Sequence, residues 1–227
     1  MQVPFMDLKR QYLLMKPEID KEIQDTLNEC AFVAGPKVAE FEKNFAGFCG
    51  VNYAVGVTTG TTAVYLALRT LGIGNGDEVI TTPNTFIATV EAIGLTGARP
   101  VFVDIDEKSH NIDPKKIKGF IKENCKWNDR DRMLIDSRTQ KRVRAILPVH
   151  LYGQMADMVP IMEIAKRHDI KVIEDVSHAQ GGLYKGRMVG TFGDVAAMSL
   201  MSGKSLAIGE AGILATNDRE IYERALA

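Results

Sequence analysis

The 227-residue sequence predicts an α/β domain, a mainly parallel sheet with helices on both faces in three layers. Three observations carry this. Apolar segments with helical spacing alternate with short strand-like segments along most of the chain. Several of those segments, such as "YAVGV" and "GILAT", are continuous apolar runs, as strands buried on both faces require. The composition, 45% apolar and 25% charged, is that of an ordinary globular chain with enough residues for a sizeable core.

The elements follow in order. Pro17 to Cys30 reads as a helix with proline near its first turn. Residues 36–49 read as a second, with Val38, Phe41, Phe45 and Phe48 on one face and Gly50 as the stop. "YAVGVT" (53–58) is a buried strand, residues 61–72 a helix, and "GNGDEVITT" a turn and strand. Residues 84–97 are helical, "RPVFVDI" (99–105) is a strand, and "DPKKIKGFIKEN" is a short helix. The polar stretch 124–142 reads as a surface excursion ending in a hairpin. Then come a strand (144–150), the helix "DMVPIMEIAKRHD", and the strands "IKVIED", "DVAAMSL" (194–200) and "AGILAT" (211–216). A further helix starts at Asp218.

Charge and cysteine content narrow the function classes. A formal net charge of −1 gives no electrostatic reason for a nucleic-acid or membrane-surface partner. Three cysteines without metal-type spacing fit a reduced, cytoplasmic setting and no metal site. The opening "MQVPFMDLKRQYLLMK" lacks the apolar core of a signal peptide, and no apolar run approaches the ~18 residues of a membrane helix.

In open α/β sheets, ligands bind outside the carboxyl ends of the strands. Four such ends carry chemistry. Gly60, Thr61 and Thr62 open a helix, a natural phosphate seat; the plain alternative is threonine capping. Asp175 follows "KVIE" and could hold a cationic ring nitrogen, or cap a helix; His178 lies three residues on. Ser199 ends "DVAAMSL", and Lys204 follows five residues later with no carboxylate within five positions on either side. A solvated surface lysine is the plain alternative there. "SGKS" (202–205) resembles the tail of a nucleotide phosphate-binding loop, but that motif needs glycine where Met198 stands and should open a long helix.

Taken together, "FVAGPKVAEFEKNFAGFCGVNYAVGVTTGTTAVYLAL", "GDEVITTPNTFIATVEAI", "LPVHLYGQMADM", "VIEDVSHAQGG" and "SLMSGKSLAIGEAG" resemble the DegT/DnrJ/EryC1/StrS family of pyridoxal-phosphate-dependent sugar aminotransferases, of the aspartate aminotransferase fold. The resemblance implies that Lys204 forms the Schiff base with pyridoxal 5'-phosphate and that Asp175 pairs with the pyridine nitrogen. It implies that His178 lies near the phenolic oxygen and Phe86 stacks on the ring. Gly60, Thr61, Thr62 and Ser199 would hold the phosphate. It further implies amino transfer from glutamate or glutamine to a keto-sugar nucleotide or keto-cyclitol, in a homodimer. A sugar dehydratase and a non-catalytic, cofactor-binding or regulatory relative are the alternatives; Lys204, where such dehydratases carry histidine, argues against the first. The sequence departs from the family pattern at Leu200, Ser205, Ala211 and "EDVSH", which leaves subgroup and substrate open. Residues 1–227 are expected to form the cofactor-binding large domain with an N-terminal helical segment, without the smaller C-terminal domain of family members.

Overall fold

A computed structural model describes residue 4 and residues 6–227. The element order is α1 (Leu8–Glu29), α2 (Pro36–Cys49), β1 (Tyr53–Val57), α3 (Gly60–Thr70), β2 (Asp77–Thr81), α4 (Ile87–Leu95), β3 (Arg99–Phe102) and α5 (Pro114–Asn124). Then come β4 (Cys125–Asn128), β5 (Met133–Asp136), β6 (Lys141–Ile146), α6 (Met158–His168), β7 (Lys171–Asp175), β8 (Leu183–Tyr184), β9 (Arg187–Met188), β10 (Val195–Ser199), β11 (Gly212–Thr216) and α7 (Arg219–Leu226).

The main row of the sheet has the order β1-β11-β10-β7-β6-β2-β3. The β10–β7, β7–β6, β6–β2 and β2–β3 pairs are parallel, while β11 is antiparallel to both neighbours. Six strands of the row therefore run one way, and only β11 is reversed. The excursion 124–142 is the β4–β5 hairpin, which extends the sheet antiparallel alongside β6.

Alternation along each strand builds the layers, because successive side chains point to opposite faces. Val79, Ala145, Ile173, Ala197 and Leu214 pack on one face with Ala63, Ala67 and Leu68 of α3, Ala92 of α4 and Ile221 of α7. Their neighbours Ile80, Ile146 and Val172 pack on the other face with Ile117 of α5 and Ile161 of α6. Further along that second face, Ala196, Met198 and Ile213 meet Phe45 of α2. These central strand residues are fully or almost fully buried on both faces, which is why their segments read as unbroken apolar runs.

Two helices differ from expectation. Helix α1 starts at Leu8, where Asp7 caps it by accepting the Arg10 N–H at 2.9 Å, so Pro17 lies inside the helix rather than in its first turn. On α2, Phe45, Ala46 and Cys49 form the buried face, whereas Val38 and Phe48 are exposed. Gly50 ends α2 in the left-handed region at φ 73°, as its sequence position predicts. The two-residue strands β8 and β9 were not expected. The Lys185–Gly186 turn between them has φ 50° and 79°, the primed geometry that suits a two-residue hairpin.

Candidate functional site

The parallel strands deliver their carboxyl ends to one edge of the sheet, and a cavity of about 450 Å³ opens there. Gly60, Thr61, Phe86, Asp175, His178, Ser199 and Lys204 line it, brought together from four separate strand ends. Thr62 is not in its lining. The Thr62 N–H goes to the Thr59 hydroxyl at 3.0 Å, and the Thr62 hydroxyl lies 3.0 Å from those of Thr58 and Thr59.

That division marks a candidate anion seat. Thr59 is the N-cap of α3, which leaves the N–H groups of Gly60 and Thr61 ahead of the intrahelical ladder. The seat is closed on the far side by Ser199: a Cβ added at Gly60 would lie 2.5 Å from the Ser199 Cβ. Glycine is needed here for close approach, since Gly60 is absent from the positive-φ residues. The Ser199 backbone is itself fixed. Its N–H donates to the Ser177 hydroxyl at 3.0 Å, and its carbonyl accepts from Gln180 Nε2 at 2.6 Å.

Asp175 ends β7 and is 5% exposed. Its N–H donates to Pro148 O at 2.9 Å, its carbonyl accepts from His150 N at 3.0 Å, and Val176 N–H donates to Ala197 O at 2.9 Å. The acid is thus clamped between both neighbouring strands. Beneath it, Glu174 is fully buried, yet its carboxylate is completely satisfied. Its Oε1 accepts from Phe192 N and Gly193 N at 2.7 Å each, and its Oε2 from Gly190 N at 2.9 Å and His150 Nε2 at 3.1 Å. Because His150 Nδ1 accepts the Ala156 N–H at 3.0 Å, the ring proton sits on Nε2. Burial works to raise the Glu174 pKa, but the His150 hydrogen bond and the N–H groups of Gly193 and Gly190 outweigh it and hold the carboxyl low.

Lys204 lies in the loop between β10 and β11. Its N–H donates to Met201 O at 3.0 Å beside Gly203 at φ 100°, and Ser202 N–H donates to Gly209 O at 2.8 Å. Burial lowers the Lys204 pKa, opposed by attraction to Asp175. Burial also lowers that of His178, assisted by the charge of Lys204 and opposed by Asp175. Both nitrogens are therefore biased toward the neutral, nucleophilic or proton-accepting state. Phe86 is 63% exposed and lines the cavity, so its ring face is available to a flat ligand.

Several lining groups escape a sequence reading. Thr85 and Thr89 look like ordinary residues at a helix start, and Ser177 like a loop hydroxyl. Their value lies in long-range contacts that no local spacing reveals. Glu210 is a second acid in the cavity lining, from the strand entry opposite Lys204. Among the described residues no group of three or more His, Cys, Asp and Glu is arranged to hold a metal ion, and no helix is long and apolar enough to cross a membrane.

A helix start closed by Ser199, a buried acid and an amine with a lowered pKa thus stand together at the carboxyl edge of an α/β sheet, an arrangement suited to a small phosphorylated ligand. Residues 14–227 match the DegT/DnrJ/EryC1/StrS aminotransferase family, and the chain belongs to it. The family's aminotransferases depend on pyridoxal phosphate. Among relatives, the dTDP-3-amino-3,4,6-trideoxy-alpha-D-glucose transaminase of Streptomyces venezuelae is 40% identical over 98% of this chain and 54% of its own. A pleiotropic regulatory protein of Geobacillus stearothermophilus is 41% identical over 99% of this chain and 56% of its own. Of solved structures, S. venezuelae DesV in complex with a ketimine intermediate superposes with a TM-score of 0.88 at 40% identity, covering 99% of this chain and 56% of the other. NtdA from Bacillus subtilis with bound cofactor PMP superposes with a TM-score of 0.85 at 31% identity, covering 99% and 47%. The chain spans about half the length of these proteins.

Proposed function

We propose that this chain is the cofactor-binding large domain of an aminotransferase. It would transfer an amino group from glutamate or glutamine to a keto-sugar nucleotide or keto-cyclitol, working as a homodimer. The observation that carries this reading is the convergence of Lys204, with its lowered pKa, on a cavity shared with buried Asp175 and the Gly60–Ser199 seat.

The residues present fit pyridoxal phosphate. The cradle between Gly60 and Ser199 has no room for a Cβ and offers backbone N–H groups at a helix start, which suits a phosphate. Gly60, Thr61 and Ser199 would hold it, with Thr62 supporting the turn from behind. Phe86 would cover one face of the ring, Asp175 would pair with its nitrogen, and His178 would face the phenolic oxygen. When bound, the cofactor supplies an electron sink for the carbon bearing the amino group.

Each side chain then has a defined task. Lys204 would hold the cofactor's aldehyde group through its neutral amine, which burial favours. With its amine free, Lys204 would serve as the base and acid that moves a proton from the amino donor's Cα. Asp175, 5% exposed, would keep a proton on the ring nitrogen. Phe86 excludes water from one side of the reacting plane.

Borohydride reduction after incubation with pyridoxal phosphate, followed by peptide mapping, is expected to label Lys204. Glutamate added to the loaded protein should yield 2-oxoglutarate. A label on another lysine would refute the assignment. Retained cofactor with no 2-oxoglutarate would favour the second reading, a cofactor-binding regulatory protein, which the name of the G. stearothermophilus relative supports.

A further inference from the structure

Asp175 is oriented by more than its own strand. Its Oδ1 accepts the Ser177 N–H at 3.1 Å, from the turn that follows β7. Its Oδ2 accepts from the Thr89 hydroxyl at 2.9 Å, from the first turn of α4. Thr89 is 2% exposed and also lines the cavity. Thr85 Oγ1 lies 2.9 Å from Thr89 Oγ1.

The donor order follows from counting protons. An ionised carboxylate only accepts, so the Thr89 hydroxyl must give its single hydrogen to Asp175. Thr89 then has none left for Thr85, and Thr85 must be the donor in that contact. The result is a one-way chain, Thr85 to Thr89 to Asp175, in which each bond polarises the next. The turn that carries it is held by the Thr89 N–H on Phe86 O at 3.1 Å, so the residue presenting the aromatic face and the hydroxyl steering the acid share one helix start.

Resting on the cofactor reading above, we propose that Thr89, polarised by Thr85, is a positioning residue for Asp175. It fixes the carboxylate's rotation, while a further lone pair on each oxygen stays free for the ring nitrogen. Thr85, its proton committed to Thr89, meets any ligand in the cavity only as an acceptor.

The test uses this chain reconstituted with pyridoxal phosphate isotope-labelled at the ring nitrogen, reading the nitrogen resonance by NMR and cofactor affinity by fluorescence. Thr89→Val keeps the side chain's shape and removes the hydroxyl. It is expected to move the resonance toward that of unprotonated pyridine and to weaken cofactor binding about tenfold, equivalent to ~1.4 kcal/mol. Thr89→Ser should restore both. A role confined to packing would leave the resonance unmoved, and an unchanged resonance with unchanged affinity in Thr89→Val overturns the proposal. Should Thr89→Val fail to fold, Thr85→Val decides in its place: a smaller displacement in the same direction supports the chain, and none overturns it. A parent chain that takes up no cofactor overturns the reading of the site and this proposal with it. A parent that binds normally beside a parent-like Thr89→Val overturns the proposal alone.

Discussion

Substituting Gly60 by alanine tests the anion seat by adding a single methyl group. The added Cβ would lie 2.5 Å from Ser199 Cβ, 2.9 Å from Ser199 Cα and 3.1 Å from Ser199 Oγ. Carbon atoms pack best at about 3.5–4.0 Å, so α3 and the end of β10 must part by roughly 1 Å at this point. Both are held in the core by Ala63, Val64 and Ala197, which resist the movement. Overpacking of this kind costs ~1–3 kcal/mol. Alanine's helix preference over glycine, worth ~1 kcal/mol in a helix interior, works the other way and less so at the first position. A net loss of about 1–2 kcal/mol is expected, or a fall in Tm of roughly 2–8 °C for a chain of this size. Urea titration should show a lower midpoint at constant slope, because the surface exposed on unfolding is unchanged. Pyridoxal phosphate uptake should weaken in parallel, since the separated walls no longer reach one phosphate together. The Gly60→Ala, Ser199→Gly double variant should recover part of the loss, with a coupling of at least ~0.5 kcal/mol. The reasoning fails if Gly60→Ala equals or exceeds the parent in stability and takes up cofactor as well.

The other predictions concern the acids and the lysine. Glu174→Ala leaves three backbone N–H groups and the His150 Nε2–H without their acceptor; a loss of about 3–5 kcal/mol is expected by denaturant titration, and a loss under ~1 kcal/mol would contradict it. The rate at which Lys204 takes up pyridoxal phosphate should rise with pH through a midpoint below the ordinary 10.5. Because attraction to Asp175 opposes that lowering, Asp175→Asn should move the midpoint further down, and an upward move would refute the arrangement. Glu78 is fully buried, and burial, only partly offset by its Thr139 hydrogen bond, raises its pKa. Its contribution to stability is complete below its unfolded pKa and declines as pH rises through the folded value. Glu78→Gln should therefore flatten that decline of stability with increasing pH, and an unchanged profile would show that Glu78 does not cause it.

The order of the main elements, and the strand ends from which most of the cavity-lining residues come, were legible because each rests on a local signal; Phe86 and the role of each residue came only from the family resemblance. Central strands show as apolar runs, and α3 as a threonine-capped helix following one. What stayed hidden depends on partners distant in the chain. Helix α1 buries no residue, so it offers no core-facing stripe to mark its length, and a proline in its middle looks like its beginning. The apolar face expected on α2 was rotated because Ala46 and Cys49, small residues without a strong pattern, are the ones the sheet covers. Strands β8 and β9 are too short to show alternation. Thr62 belonged with Gly60 and Thr61 by adjacency, yet one helical position turned it from the cavity to the cap. Thr89 was invisible for the opposite reason: its partner lies 86 residues away.

The reversal of β11 decides where the loop bearing Lys204 must begin and end. Ser199 pairs with Gly212 across antiparallel strands, so the intervening segment leaves and re-enters the sheet at the same edge. A parallel partner would have required a crossover down the full length of the sheet, of a dozen or more residues. Here the ends of the loop are pinned side by side, and its interior is free of any structural duty to connect layers. The loop is closed by Ser202 N–H on Gly209 O at 2.8 Å and Ile208 N–H on Leu200 O at 3.0 Å, so substitutions at positions 205–207 are expected to leave the strand register and the amine's anchoring turn at Met201–Lys204 in place. The chain thereby separates the segment that can vary from the segment that must not, and a fold of this kind can change what it accommodates beside the lysine without rebuilding the sheet that presents it.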